Sequence, residues 1–522
     1  MESRLTPVLA ALRAVVGTEH LLTGAGLSAF ATDIFRAREM PAAMASPASV
    51  DQLQAVVRVA TEAGFAVLPR GGGSSYTDGY LPVQALTVLV DMRRLDRIVE
   101  INEDDAYVTV EAGVTWAKLA QALDERGLRT PFRGPFSGSV ATVGGTMAQN
   151  GISHGTGAHG VAAESALSLD VVLADGSLLR TGSAITGALP FCRHYGPDIT
   201  GLFLGDCAAF GIKARVTLPL LKAQRDFVAM SFGFESFEAC HAGMKAAASE
   251  CVDDTNFAVD ASMIRGQLKR KRGLGETLQS ALRVWRATPG LVAPTLQLFR
   301  MLLAGERAMG ASAYLAHYIV EGGDPREAAL RAARLGKAVQ PHGREITNSI
   351  PTVIRSQPFD RLFHVLGPKG ERWVPVHGLL PHSTVRAFNT VLTGLLARHK
   401  SYMDAHGVWV GGLYEAVGRG GFMVELGMYW PDAPSDYHRG AVDAAALAKL
   451  PIYPVDHALS DWIAAFREEL IALYAAHGAV HMQLGKVYPY AQALAATELS
   501  VAQAIKLALD PQRRMNPGTL GL

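Results

Sequence analysis

The sequence predicts an α+β protein made of a glycine-punctuated first domain, a second domain and a short tail. Three observations carry this prediction. Residues 49–220 alternate short helical and strand patterns separated by Gly turns. From about 223 the composition shifts to long helical stretches, such as 276–309, between scattered strands. After about 482 the pattern changes once more. The expected boundaries are therefore 1–222, 223–481 and 482–522. No internal repeat and no low-complexity segment interrupts them.

The elements follow in order. MESRLTPVLAALRAVVG reads as an amphipathic helix without a continuous apolar core or a small-residue cleavage site, and so as mature protein of a reducing compartment. Ser49 and Gln52 stand at capping-box spacing before the helical face Leu53, Val56, Val57 and Ala60. Gly64 closes that helix. Phe65 to Leu68, Ala85 to Val90 and Ala106 to Val110 read as strands. Trp116 to Arg126 is helical and ends at Gly127. Leu167 to Leu173 and Ser177 to Arg180 form a hairpin around Asp175-Gly176, because Asp-Gly favours a tight two-residue turn. Gly211 to Leu220 is a further strand. Ala491 to Leu509 is a helix stopped by Asp510-Pro511, and Asn516-Pro517-Gly518 starts a turn.

Composition excludes several classes. The chain has 522 residues, 49 Lys+Arg against 48 Asp+Glu, and a formal charge of +1. That balance argues against nucleic-acid binding through bulk positive charge. At 49% hydrophobic and 19% charged residues it is too apolar for a disordered chain. No apolar run is long enough to read as a membrane span. Cys192, Cys207, Cys240 and Cys251 form no CxxC pair, which excludes a zinc ribbon and a disulfide scaffold.

Two glycine clusters carry chemistry. Pro69-Arg70-Gly71-Gly72-Gly73-Ser74-Ser75 follows a strand directly. Glycines there let backbone amides approach a ligand, and successive amides aimed at one point make a nest suited to a pyrophosphate. The plain alternative is a flexible turn. Ser137-Gly138-Ser139-Val140-Ala141-Thr142-Val143-Gly144-Gly145-Thr146-Met147-Ala148-Gln149-Asn150-Gly151 is a long run of mostly small residues that can pack flat against a planar ring.

The ordered set PRGGGSS, VGGTMAQNG, LDVVLADG, GPDITGLFLGD, FGI and DPQRRMNPGTLG resembles the FAD-linked oxidase superfamily of the vanillyl-alcohol oxidase / p-cresol methylhydroxylase (PCMH) type. Within it, the pattern is similar to the branch of glycolate oxidase and D-lactate dehydrogenase. The likeness covers residues 25–220 well, 465–522 moderately and the middle weakly. It implies a two-subdomain, PCMH-type FAD-binding domain plus an α+β substrate (cap) domain with an antiparallel sheet and flanking helices. It also implies FAD held between two α+β subdomains. Gly71 to Ser75 would hold the pyrophosphate. Ser137, Gly138, Thr142, Val143, Gly144, Gly145 and Ala148 would line the cofactor path. Gly211 and Ile212 would offer backbone groups near the adenine. His159-Gly160 falls where relatives have Tyr-Gly near the flavin, and Asn516 returns the chain to the FAD domain.

Two departures qualify this expectation. Ser74 and Ser75 stand where some relatives have a flavin-linking His, so noncovalent FAD is expected. The HxGDGNxH metal motif of the hydroxy-acid branch is missing, so no metal is expected. The resemblance further implies a homo-oligomer acting on a small-molecule substrate, with oxygen, a cytochrome or a quinone as electron acceptor.

The implied chemistry is hydride transfer from a CH–OH carbon of a 2-hydroxy acid or phenolic alcohol to flavin N5, with a base removing a proton. The alternative is an electron-transfer subunit that works only inside a complex. The base should titrate near neutral pH, which favours His, or a shifted Tyr or Lys. His377 lies on a strand-like stretch beside Pro375. On an extended strand His481 and Gln483 share a face, as do Lys486, Tyr488 and Tyr490 if the strand continues past a Gly485 bulge. Arg355 follows a strand-like Thr352-Val353-Ile354 and suits a carboxylate.

Two further features read less sharply. Thr23-Gly24-Ala25-Gly26 resembles the NAD-binding opening of sirtuin deacylases, but Leu21-Leu22 is too short a strand for a dinucleotide fingerprint. Lys269-Arg270-Lys271-Arg272 reads plainly as a solvated loop. Its sharper reading is contact with anionic lipid, as in a cytoplasmic enzyme sitting peripherally on the inner membrane face.

Overall fold

The computed structural model describes residues 2–268, 312–359 and 365–522. The Lys269–Arg272 run and the 276–309 helical stretch lie outside the described residues.

Three large sheets, with a two-stranded pair of Leu128–Arg129 and Leu221–Lys222 beside them, organise the described residues. The first has four strands in the order Leu21–Leu22, Ala43–Ala45, Thr87–Asp91 and Ala66–Arg70. Its three longer strands are parallel. Helices Glu2–Val16 and Val50–Glu62 pack on it through Leu12, Leu53, Val56 and Val57. Ser49 caps the second helix by accepting the Gln52 amide.

The second sheet is antiparallel, in the order Ile98–Asn102, Tyr107–Glu111, Ile212–Pro219, Ser168–Val172 and Leu178–Arg180. The Asp175-Gly176 hairpin forms, with Gly176 at φ +79°. These two sheets make the first domain.

The cap is one antiparallel sheet of seven strands. Its order is Arg344–Ile346, Asp226–Phe234, Tyr314–Gly322, Thr255–Asp260, Trp409–Val417, Gly421–Trp430 and Arg372–Pro381. Alternation divides its faces. Val374, Val376, Phe422, Val424, Leu426 and Met428 join an apolar core with Phe388, Ile463, Phe466 and Leu470 of the helices Val385–Ala405 and His457–Ala476. The opposite face turns Trp373, His377, Glu425, Glu415 and Phe257 toward the first domain, whose Tyr76 and short helix Thr156–His159 lie against it. Among the described residues, no helix is long and apolar enough to cross a membrane.

Two expectations are corrected. Thr352-Val353-Ile354 is not a strand: Ser349–Ser356 is a helix. Its β-branched residues yield to packing against the strands Asp226–Phe234 and Tyr314–Gly322, where Arg355 lies over the Phe227 ring. Residues 481–490 are not an extended strand either. Gln483 and Gly485 take φ of +54° and +57°, which turns the chain onto the first domain. There the Gln483 amide donates to the Gln149 carbonyl at 2.8 Å and the Lys486 amide to the Thr77 carbonyl at 2.9 Å.

Candidate functional site: a dinucleotide cradle under the cap sheet

The strand Ala66–Arg70 delivers the chain into Gly71–Ser75, and this loop meets the second glycine cluster directly. A Cβ on Gly71 would strike the Thr142 hydroxyl, and one on Gly72 would overlap the Val140 carbonyl. Only glycine permits that approach. Gly73 has φ +73° and crosses the Arg70 guanidinium, which lies over the Phe30 and Tyr80 rings. The Tyr80 hydroxyl fastens the loop by donating to the Gly73 carbonyl at 3.0 Å.

The amides of Gly72, Gly73, Ser74 and Ser75 donate to no protein group among the described residues. The Ser74 hydroxyl oxygen is buried without a partner as well. Unengaged donors on glycine-thinned backbone fit a pyrophosphate.

The second cluster is held rigidly. Ser137 accepts the amides of Val140 and Ala141 in a tight turn, and Gly138 lies against the Phe359 ring. Thr142 caps the helix Val143–Gln149 by accepting the Gly145 amide at 3.2 Å. The Val143 and Gly144 amides go to the carbonyls of Val114 and Ala112. The start of this helix is thus anchored to protein, and its small residues serve close packing. The Ala148 carbonyl accepts the Cys207 amide at 2.9 Å. Gly211 packs on Val171, and Ile212 pairs with Val172 inside the second sheet.

The tail closes the cradle from behind. Asn516 donates to the carbonyls of Gly79 and Cys207 at 2.7 and 2.6 Å, and accepts from the Lys486 ammonium at 2.6 Å. Lys486 also donates to the Asp78 carbonyl at 3.1 Å. Burial lowers its pKa to about 7.

Tyr76 follows the loop and carries it to the cap. Its ring meets Trp373 and His377 edge-on at 6.0 and 6.4 Å. His377 Nε2 donates to the Met482 carbonyl at 2.7 Å, leaving Nδ1 to accept from the Tyr488 hydroxyl at 3.2 Å. Burial lowers the His377 pKa to about 3 and raises Tyr488 to about 12, so both stay neutral. His481 donates from Nδ1 to the His377 carbonyl at 2.8 Å and stacks on Tyr488 at 4.2 Å, and its Nε2 is buried without a partner.

Three of the five catalytic candidates, His377, His481 and Tyr488, therefore meet, and Lys486 stands behind the glycine loop. Arg355 is elsewhere, paired with Glu321 at 3.1 Å beside Arg129, Arg133 and Asp254. His159 joins that second group: its Nε2 lies 3.4 Å from Arg129. Both line or flank an interdomain hollow of about 390 Å³ bounded by Lys222, Cys251 and Glu321.

Two residues escaped the sequence reading. Tyr76 was signalled by its place right after the glycine run. Glu425, a lone acid in the apolar strand Gly421–Trp430, faces His377 by register alone.

The chain is similar to known proteins in sequence over part of its length and in fold over all of it. Residues 41–182 match the FAD binding domain family. The 1'-carboxy-chondrochloren decarboxylase of Chondromyces crocatus is 32% identical over 227 residues, which is 42% of this chain and 41% of that protein. The glycolate oxidase subunit GlcD of Bacillus subtilis is 28% identical over 184 residues, 35% of this chain and 38% of that protein. These matches span about two-fifths of the relatives' length. The solved structure of p-cresol methylhydroxylase with substrate bound superposes with a TM-score of 0.74 at 18% identity, covering 100% of this chain and 98% of that one. Residues 41–182 thus carry an FAD binding domain, and the chain as a whole shares the fold of p-cresol methylhydroxylase.

Proposed function

We propose that the chain is an FAD-dependent oxidoreductase taking a hydride from the CH–OH carbon of a small substrate, a 2-hydroxy acid or a phenolic alcohol. One observation carries the reading. Gly71 and Gly72 touch Val140–Thr142, and Tyr76 leads from that contact straight to His377 beneath the cap sheet. The relatives named as a glycolate oxidase subunit and as D-lactate dehydrogenases support the CH–OH class.

When bound, FAD supplies a two-electron acceptor at flavin N5. The chain's part is to bind, orient and exclude water. The amides of Gly72–Ser75 would hold the pyrophosphate, with the Lys486 ammonium behind them adding positive charge. Ser74 and Ser75 offer no imidazole for the link that some relatives use, which supports noncovalent binding, with attachment through a later His or Tyr as the alternative. His377 would position Tyr488 and His481 at the substrate side, since both of its ring nitrogens are engaged. Arg355 is committed to Glu321 and falls outside this set. Oxygen, a cytochrome or a quinone would reoxidise the flavin.

Anaerobic mixing of the FAD-loaded chain with 2-hydroxy acids, phenolic alcohols and polyols tests the reading. The expected result is full bleaching of the flavin by at least one of the first two classes. Bleaching by none of them, with FAD bound, would instead favour a flavin-carrying subunit active only in a complex, as the name of the Bacillus relative suggests.

A further inference from the structure

The face beneath the cap sheet sets one carboxyl group directly against His377. Register places Glu425 opposite His377 on the neighbouring strand, and opposite Leu413 on the other side. Directly opposed residues share a face with Cβ atoms about 4.5–5.5 Å apart. Glu425 therefore lies on the face that receives Tyr76. Its surroundings are dense enough to push its carboxyl up to about 7, yet the residue is only half-buried.

The titratable groups that face it come from every adjoining element. His377 opposes it, and Glu415 lies diagonally across the neighbouring strand, because Glu415 pairs with Met423. Tyr76, Tyr488 and Tyr474 approach from the glycine loop, the 481–490 segment and the helix His457–Ala476. The charged group beside them is the Arg467 guanidinium of the same helix, which donates to the Tyr76 carbonyl at 2.6 Å, while the others favour their neutral forms. Burial holds His377 low and the three tyrosines high. His481 lies behind the Tyr488 ring, and burial lowers its pKa as well. Burial, with the charge of Glu425 adding to it, keeps Glu415 protonated. Lys486 is turned away, engaged with Asp78 and Asn516.

Resting on the oxidoreductase reading above, we infer that Glu425 is the catalytic base that takes the substrate's hydroxyl proton. The balance is simple. The substrate O–H bond breaks and its proton joins the Glu425 carboxylate. The substrate C–H bond would break with its electron pair going to hydrogen, bound FAD would be the two-electron acceptor for that hydride, and the O–H electron pair would form the carbonyl. On product release the partly open face of Glu425 returns the proton to water. The sequence alone favoured His377, His481 or Tyr488 for this task. The geometry makes them the wall that fixes where the hydroxyl sits.

Glu425→Gln keeps size and removes the base. Anaerobic flavin reduction by whichever substrate bleaches the wild type should slow by about 100-fold or more. The substrate's dissociation constant and the FAD content should stay close to wild type. The wild-type rate should fall as pH drops through about 7, and this limb should vanish in Glu425→Gln. Glu425→Asp should recover part of the rate. Infrared titration of the FAD-loaded protein without substrate should show a carboxyl band with a midpoint near 7 that Glu425→Gln lacks. A Glu425→Gln protein reduced at the wild-type rate, or one that keeps the acid limb, overturns the role while leaving the oxidoreductase reading intact. A wild type that no panel member reduces overturns that reading and the role with it.

Discussion

Gly72→Ala will bind FAD about 5- to 150-fold more weakly than the wild type while keeping its fold. The added Cβ overlaps the Val140 carbonyl oxygen, so backbone must move on one side or the other. Overpacking of this kind costs about 1–3 kcal/mol. Every 1.4 kcal/mol or so is tenfold in affinity, which gives the range above. The displaced loop carries the Gly72–Ser75 amides, which have no protein partner among the described residues, so its movement weakens cofactor binding rather than the apolar cores. Gly394→Ala is the matched control. It lies in the helix Val385–Ala405 with nothing near its Cβ position, and it should bind FAD as the wild type does. Fluorescence titration of the apoproteins with FAD reads both.

The second large effect concerns the tail. Lys506 is buried and donates to Asp510 at 2.6 Å, to the Ala209 carbonyl at 2.6 Å and to the Met515 carbonyl at 2.9 Å. Asp510 in turn accepts the amides of Arg514 and Met515. Beyond it, the Asn516 amide donates to the Val67 carbonyl and the Val67 amide to the Arg514 carbonyl, so the tail extends the first sheet next to the glycine loop. Lys506→Met leaves the Asp510 carboxylate buried and unpaired. Removing one partner of such a pair costs about 3–5 kcal/mol. The urea midpoint of unfolding should fall accordingly, and FAD should protect less. Lys506→Met combined with Asp510→Leu should recover part of the loss, because an apolar replacement of the whole pair is far cheaper than breaking it. An unchanged midpoint in the single variant would show that the tail does not hold the first domain together.

Much of the first domain was legible because its signals are local. Ser49 and Gln52, Gly64, Gly127 and Asp175-Gly176 each fix a cap or turn by backbone conformation, and the elements between them begin and end within a few residues of expectation. The glycine runs were legible for the same reason: a loop that must touch another backbone needs glycine whatever surrounds it. Long-range features were not. Thr352-Val353-Ile354 carries strand propensity, yet its environment makes it a helix. The alternation of His481 with Gln483, and of Lys486 with Tyr488 and Tyr490, suggested a strand, but Gln483 and Gly485 adopt positive φ to reach Gln149 and Thr77. His377 and Tyr488 were found from motif position, whereas their neutrality depends on burial. Glu425 was hidden because strand register decides which acid faces the site, and register belongs to the whole cap sheet.

The central claim is that Gly71–Ser75 and Ser137–Gln149 clasp one and the same FAD. Amide hydrogen exchange, with and without a saturating excess of the cofactor, tests it most directly. The account predicts strong slowing at Gly72–Ser75, whose amides have no partner among the described residues, together with slowing across 137–149. Slowing in one stretch alone, or in neither while FAD is bound, would contradict it.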